Sequence, residues 1–317
     1  MRHFRSTDKR LKSLSDWPSM VPTFAVCLLC WGLCYVYSIG FPLEKKTITM
    51  PLWLLAGNLL GYKSGACLAG LFIMVIVSYV MQRITDIEML IRERTRLPFM
   101  LFLLLVSTNA GLLPIKEVSI ALLCLVFAVY ELFYSYQSPE LTGKFFNIGV
   151  LIGVAGLFMP QILWFMPLFW IGMYQFRSLD FKSFMASLIG VLIIYWFVLA
   201  WCVWKHDYFM FSALYDELTD FRFLSIEIVQ LYQIGTIVVL PVLTMVFFHV
   251  KTDALSNSVR IRQLIAFLLN MAIGSVGMIV FYGEDLDSFL AILYLPSSVL
   301  IAYFLENIRR IFRFVLY

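Results

Sequence analysis

Long apolar runs that contain no charged residue constrain the fold of this chain more than any other feature. Two of the clearest extend over 184–204 and 263–281. An α-helix of about 20 apolar residues is long enough to cross the hydrocarbon core of a bilayer. Since 62% of the 317 residues are apolar and 14% are charged, a soluble globular fold could not bury the apolar surface. The sequence therefore predicts an all-α, polytopic transmembrane helical bundle.

Hydropathy along the chain predicts about ten spans, which together form one membrane domain at 20–306. The predicted spans are 20–40, 64–82, 97–113, 119–137, 145–160, 161–177, 184–204, 227–250, 263–281 and 288–306. The two spans that meet at Pro160 are short, and a proline at this point predicts a tight turn between two helices. The apolar stretch 51–61 is too short to cross, so we expect it to lie at the interface or to re-enter.

The positions of the Lys and Arg residues predict the orientation of the bundle. Basic residues resist translocation and collect in cytoplasmic segments. With the N-terminus in the cytoplasm, most of the 24 Lys and Arg residues fall on the cytoplasmic side, whereas the outer loops are net acidic. We therefore expect both termini to be cytoplasmic, with a basic tail at 1–19 and a basic amphipathic tail at 307–317. This pattern is typical of a multi-pass membrane protein.

Composition and motifs exclude several functional classes. The net charge of +4 comes from scattered basic residues, so we expect no nucleic-acid partner. Cys27, Cys30 and Cys34 share one face of the first predicted helix, but no His or Asp accompanies them. We therefore interpret these cysteines as packing residues and assign no metal. The motifs of soluble nucleotide-binding and hydrolytic enzymes are missing, and no cofactor is expected.

The longest polar outer connection, 205–225, carries the first candidate site. Its apolar spacing predicts an amphipathic helix that lies flat on the membrane. Three carboxylates share the polar side of this helix: Asp216, Glu217 and Asp220. They could hold a divalent ion, together with the acidic residues of 284–287, or act as a base beside a lipid-linked phosphate. The alternative is a solvated face of an interfacial helix without chemistry.

The first outer loop offers a second candidate site, in which Glu44 stands next to Lys45 and Lys46. A carboxylate beside two lysines can deprotonate an acceptor while the lysines hold a phosphate. Arg222 is a further candidate for binding the lipid phosphate. The alternative is a polar turn with no catalytic role.

Glu131 is the most informative ionisable residue inside a predicted span. A charged group at membrane depth is costly and therefore indicates a functional or a paired residue. Arg177 or Lys144 could pair with Glu131 near the inner end of its helix. Glu131 could then relay protons or orient a substrate, and the alternative is a structural ion pair.

Three glycines recur at helical spacing in one apolar run: Gly149, Gly153 and Gly156. Small residues on one face let two membrane helices approach closely. We therefore expect this face to pack against another helix.

Three stretches carry a resemblance to a known family: RTRLPF at 94–99, FFNIGVLIGVAGLFMP at 145–160 and PLFWIGMYQFRSLDFKSFMASLIG at 167–190. They resemble an uncharacterised family of multi-pass inner-membrane proteins of Bacteroidota. The resemblance implies a multi-pass fold and an inner-membrane location, and it carries over no catalytic residue.

A looser similarity is to polytopic glycosyltransferases that use polyprenyl-phosphate-linked sugars. Glu44 in the first outer loop, followed by the apolar stretch 51–61, is similar to the outline of those enzymes. The similarity implies that Glu44 is a catalytic acid and that the substrate is linked to a polyprenyl phosphate.

Two functions, and a third with less support, follow from these observations. The first is an envelope protein that handles lipid-linked glycan at the outer leaflet. The second is a non-catalytic membrane subunit that scaffolds a larger complex with other membrane subunits. The third is a transporter. In each case the expected surroundings of the bundle are membrane lipids.

Overall fold

The fold is known from a computed structural model, which describes residues 17–38, 63–91, 95–136, 141–206, 209–221 and 259–315. These residues are helical and contain no extended strand. Their helices are α1 Trp17–Ser38, α2 Lys63–Ile87, α3 Leu97–Ser107, α4 Glu117–Tyr134, α5 Leu141–Phe158, α6 Met166–Gln175, α7 Phe181–Lys205, α8 Phe209–Thr219, α9 Val259–Phe281 and α10 Leu286–Val315. Short 3-10 turns occupy Ala110–Leu112, Pro160–Phe165 and Gly283–Asp285. The predicted all-α class is confirmed for this part of the chain.

Five helices in the described ranges are long and apolar enough to cross a membrane. They are Gly65–Ile87, Glu117–Tyr134, Phe181–Lys205, Val259–Phe281 and Leu286–Asn307. Three further apolar helices are shorter: Phe24–Val36, Leu97–Ser107 and Thr142–Phe158. The predicted span 227–250, the stretch 51–61 and residues 1–16 of the predicted basic tail lie outside the described residues. The count of ten spans stays a prediction.

The turn predicted at Pro160 is confirmed. Helix α5 ends at Phe158, the turn Pro160–Phe165 follows, and α6 begins at Met166. Because α6 has 10 residues, it rises only about 15 Å, half of the hydrocarbon thickness. The predicted span 161–177 is therefore a 3-10 turn followed by a short helix.

Side-chain capping and backbone geometry set the ends of α7. At its start, the Asp180 side chain accepts a hydrogen bond from the Phe181 backbone N–H at 2.9 Å. At its end, His206 adopts the left-handed conformation with φ 55°. Such a residue terminates the helix and turns the chain towards α8.

Contacts gather several helix ends on one side of the bundle, here named the acidic end. The Ile115 N–H, before α4, donates to the Ala66 carbonyl near the start of α2 at 2.9 Å. Asp287, at the start of α10, lies against Asn109 and Lys116, which flank the turn between α3 and α4. The starts of α2, α4 and α10 and the end of α3 therefore lie together.

The opposite side, here named the basic end, gathers the ends of α2, α4 and α6 and the start of α9. Arg260, at the start of α9, forms an ion pair with Glu88 after α2. The same guanidinium lies 5.4 Å from the ring centroid of Tyr136, which follows α4. The Tyr136 ring meets Phe176, at the end of α6, at 5.9 Å. Helices α2 and α4 thus run from the acidic end to the basic end, and α9 runs in the opposite direction.

Helix α10 forms the centre of the bundle and α7 its edge. In the most apolar stretch of α10, 78% of the residues are buried, against 22% in α7. Helix α10 also continues without a break to Val315, so most of the predicted tail at 307–317 belongs to the last helix.

The expected packing of the glycine face is confirmed between α5 and α7. A Cβ on Gly149 would overlap the backbone carbonyl of Ser187, and a Cβ on Gly190 would overlap that of Phe146. A Cβ on Gly153 would lie 3.2 Å from the Ile194 side chain. The glycines therefore bring two backbones into direct contact inside the protein.

Candidate functional site

Helix α8 is fixed to the acidic end of the bundle by one shared carbonyl. The Tyr282 hydroxyl donates to the Leu218 carbonyl at 2.6 Å. The Trp164 indole N–H donates to the same two groups: its Nε1 lies 3.1 Å from the Tyr282 hydroxyl oxygen and 3.5 Å from the Leu218 carbonyl oxygen. These bonds join α8 to the Pro160–Phe165 turn and to the connection between α9 and α10.

The apolar side of α8 rests on α5 and α7. Leu214 is buried against Leu157, with Ile194, Tyr195 and Val198 packed around them. Tyr215, the next residue along α8, is instead exposed. The predicted amphipathic helix is therefore present, and Leu214 is its buried anchor on the bundle.

Four aromatic residues surround the end of α8 and form what we name the aromatic platform: Trp164, Phe221, Phe281 and Tyr282. The Phe221 ring centroid lies 5.3 Å from that of Tyr282, 6.1 Å from that of Trp164 and 6.2 Å from that of Phe281. Trp164 is 44% exposed and Phe221 46% exposed, whereas Tyr282 is buried. Phe281 is 47% exposed, so the platform presents three open aromatic rings beside the buried Tyr282.

The three carboxylates predicted on α8 differ in exposure. Asp216 and Asp220 are exposed and Glu217 is half-buried. Asp220 interacts electrostatically with Tyr282. Burial raises the pKa of the Tyr282 phenol; the hydrogen bond from Trp164 lowers it and the negative charge of Asp220 raises it. Tyr282 therefore stays protonated and keeps donating to Leu218.

Asp287 has a different role from the one expected of the acidic residues at 284–287. Its Oδ1 accepts a hydrogen bond from the Asn109 amide at 3.0 Å, and its Oδ2 lies 3.4 Å from the Lys116 Nζ. In the ranges that the structure describes, no group of three or more His, Cys, Asp or Glu side chains could hold a metal ion. Asp287 therefore binds α10 to the α3–α4 connection.

Glu131 lies on α4 and is half-buried. Lys144 and Arg177 are the candidate partners of this carboxylate. Lys144 donates to the Tyr134 carbonyl at 2.9 Å and lies over the Tyr134 ring, and Arg177 is exposed in a left-handed turn with φ 55°. An ion pair of Glu131 with Lys144 or Arg177 stays a prediction. A transport role for Glu131 stays a prediction.

The basic end holds an ion pair that the sequence did not indicate. The Glu88 side chain is 4% exposed and bonds to Arg260, 172 positions along the chain. Burial raises the pKa of Glu88, and the charge and hydrogen bond of Arg260 lower it by less. Such a distant pair has no local sequence pattern, so it emerges only when α2 and α9 pack.

The candidate residues of the first outer loop, Glu44, Lys45 and Lys46, lie outside the described residues, as does Arg222. The aromatic platform was not predicted. Its only local signal was the aromatic content next to Pro160 and Asp220, because its members come from three separate parts of the sequence.

Comparison of the chain with protein-family models, with curated proteins and with solved structures finds no match. The two family resemblances stay predictions.

Proposed function

We propose that the chain is an integral membrane protein of the bacterial cell envelope that handles lipid-linked glycan at the outer leaflet of the inner membrane. Its five long apolar helices support insertion into a membrane. The charge distribution supports an orientation with the acidic end outside, the basic end in the cytoplasm, about ten spans and both termini cytoplasmic. The substrate would be linked to a polyprenyl phosphate.

The aromatic platform beside Asp220 is the observation that carries this proposal. Aromatic rings offer flat apolar surfaces that suit the C–H faces of a sugar, and a carboxylate accepts hydrogen bonds from its hydroxyl groups. Trp and Tyr also prefer the level of the lipid head groups. The hydrogen bonds of Tyr282 and Trp164 to α8 fix this surface, and a binding site requires such rigidity.

In this proposal, each candidate residue has its own role. Trp164 and Phe221 hold the sugar, and Asp220 accepts a hydroxyl proton, with Asp216 and Glu217 as further acceptors on α8. Lys45, Lys46 and Arg222 would bind the phosphate, and Glu44 would act as the catalytic acid.

The test uses strains of the bacterial host whose only copy of the gene encodes a single variant. Asp220→Asn and Trp164→Ala are expected to lower surface polysaccharide by about tenfold or more, with precursor accumulating in the lipid extract. Glu44→Gln tests the residue of the first outer loop in the same assay. Protein level in the membrane fraction is measured in parallel.

Asp86→Asn provides the matched control for the carboxylate. Asp86 accepts a hydrogen bond from Gln82 at 3.0 Å at the basic end, and an Asn oxygen can accept the same bond. Unchanged polysaccharide and unchanged lipid-linked precursor in both Asp220→Asn and Trp164→Ala would refute the proposal.

A second function, that of a non-catalytic subunit, is favoured by the outer face of α7. Three tryptophans project from this helix and are exposed: Trp196, Trp201 and Trp204. A partner helix could cover this face in place of lipid, because aromatic residues are enriched at protein interfaces. The glycines of α5 do not serve this purpose, since they already pack against α7.

The two functions predict opposite results for one pair of variants. Trp196→Ala is expected to release a co-purifying membrane subunit and to leave the aromatic platform intact. If Trp196→Ala has no effect on the proteins that co-purify while Trp164→Ala abolishes the glycan, the scaffold function is excluded.

A further inference from the structure

Two cysteines from different helices meet near the acidic end. The Sγ atoms of Cys34 on α1 and Cys67 on α2 lie 3.2 Å apart, although 33 positions separate them in the chain. Cys67 is buried and Cys34 is half-buried. All six cysteines lie in the described residues, and none of them forms a disulfide in this structure.

We propose that Cys34 and Cys67 are an oxidisable pair and form a disulfide that fastens α1 to α2. The sulfur atoms of a disulfide lie about 2.0 Å apart, so these two need to approach by only about 1 Å. Helices α1 and α2 already pack together, and α2 is held at this level by the bond from Ile115 to Ala66, next to Cys67. Both helices therefore already hold the two sulfur atoms close to bonding distance.

The surroundings of the other cysteines make the pairing specific. Cys27 lies two turns earlier on α1 and is buried beside Ser107 of α3. Cys124 and Cys202 belong to α4 and α7. Cys30 shares the face of Cys34, and it is the competitor that the test must distinguish.

The reaction requires a disulfide oxidant, such as oxidised glutathione or the disulfide of an oxidoreductase. The Cys34 thiolate attacks the oxidant disulfide, which forms a mixed disulfide and releases one thiolate. The Cys67 thiolate then attacks the Cys34 sulfur and displaces the second thiolate. The two protons lost by the cysteines pass to the two released thiolates. The cysteines lose two electrons, and the oxidant gains them.

The experiment treats the full-length protein in mild detergent with oxidised glutathione. Free thiols are then blocked with N-ethylmaleimide at low pH, and the protein is digested without reduction for mass spectrometry. We expect one linked species that joins the peptides of Cys34 and Cys67, about 2 Da lighter than their sum, and its loss on treatment with dithiothreitol. Maleimide labelling of Cys34 is expected to fall severalfold.

Cys34→Ser and Cys67→Ser are each expected to abolish the linked species, whereas Cys124→Ser is expected to leave it unchanged. The wild-type protein alone suffices if a Ser variant does not fold. Full maleimide labelling of Cys34 and Cys67 after oxidation would overturn the proposal. Linkage of Cys67 to Cys30 or Cys27 as frequently as to Cys34 would overturn it as well.

Discussion

Gly149 and Ser187 bring the backbones of α5 and α7 into contact, because a Cβ on Gly149 would overlap the Ser187 carbonyl oxygen. The helices of this pair therefore pack on backbone atoms, and no rotamer change can make room for a larger residue. Helix α7 depends on this contact, since most of its remaining surface faces away from the protein.

The first prediction concerns this glycine. Gly149→Ala is expected to destabilise the protein by about 3 kcal/mol, at the upper limit for overpacking, because the clash involves backbone. Thermal unfolding in detergent measures the change. Gly277→Ala in α9 is the matched control, since no atom lies within 4 Å of its Cβ position, and a gain of up to about 1 kcal/mol is expected. Equal losses in the two variants would contradict the role of the contact.

A second prediction concerns Asp287 at the acidic end. Asp287→Asn keeps an acceptor for the Asn109 amide and loses the ion pair with the partly exposed Lys116, so a loss below about 1 kcal/mol is expected. Asp287→Ala leaves the Asn109 amide, which is 2% exposed, without this acceptor and is expected to cost about 1–3 kcal/mol. Denaturation of both variants in the same detergent provides the comparison. If Asp287→Asn were less stable than Asp287→Ala, the hydrogen bond from Asn109 would not be the main contribution of Asp287 to stability.

The third prediction is a pH dependence that arises from Glu88. Because its folded pKa is raised above the unfolded value, the folded state binds the proton more tightly. The resulting stabilisation is fully present at pH values below the ordinary pKa of a glutamate side chain. It is lost as the pH rises through the raised pKa of Glu88 in the folded state. We expect the unfolding temperature of the wild-type protein to fall across this window, and Glu88→Gln to remove the dependence.

In the Arg260→Gln variant, the pH range in which protonated Glu88 stabilises the folded protein is expected to extend to higher pH. It removes the charge and the hydrogen bond that lower the pKa of Glu88, so the carboxyl group stays protonated further up the scale. Arg262→Gln, two positions away, is the control and should leave the profile unchanged. A profile that moves to lower pH in Arg260→Gln would show that another group titrates.

The fourth prediction concerns the attachment of α8. Tyr282→Phe removes the donor to Leu218 and an acceptor for the Trp164 indole, at a cost of about 1–2 kcal/mol. Hydrogen exchange in 209–219 is expected to become about tenfold faster, because α8 opens more often. Tyr215→Phe, at an exposed position of α8, is the control. Equal exchange rates in Tyr282→Phe and the wild-type protein would refute the attachment.

Local patterns predicted the parts of this protein that depend on local physics. Pro160 lacks a backbone N–H and fixes φ, so a break between α5 and α6 follows from the residue itself. The spacing of Gly149 and Gly153 indicated a close helix contact, since only a face without side chains permits one. The acidic residues of α8 were found in the same manner, as one side of an amphipathic segment.

The environment of Glu131 could not be read from the sequence, for a physical reason. Sequence spacing gave two candidate cations, Lys144 and Arg177, but it could not give the direction of their side chains. In the structure, the Lys144 ammonium donates to the Tyr134 carbonyl and lies over the Tyr134 ring.

The sequence by itself determined the membrane class, the helical content and the separation of basic from acidic turns, because the bilayer selects for apolar length and the charge of loops. Only the tertiary structure decided which helix lies at the centre, which distant residues pair and where aromatic residues gather. Those outcomes depend on helix rotation and on contacts between residues more than a hundred positions apart, such as Glu88 with Arg260 and Trp164 with Tyr282. No short stretch of sequence encodes such a contact.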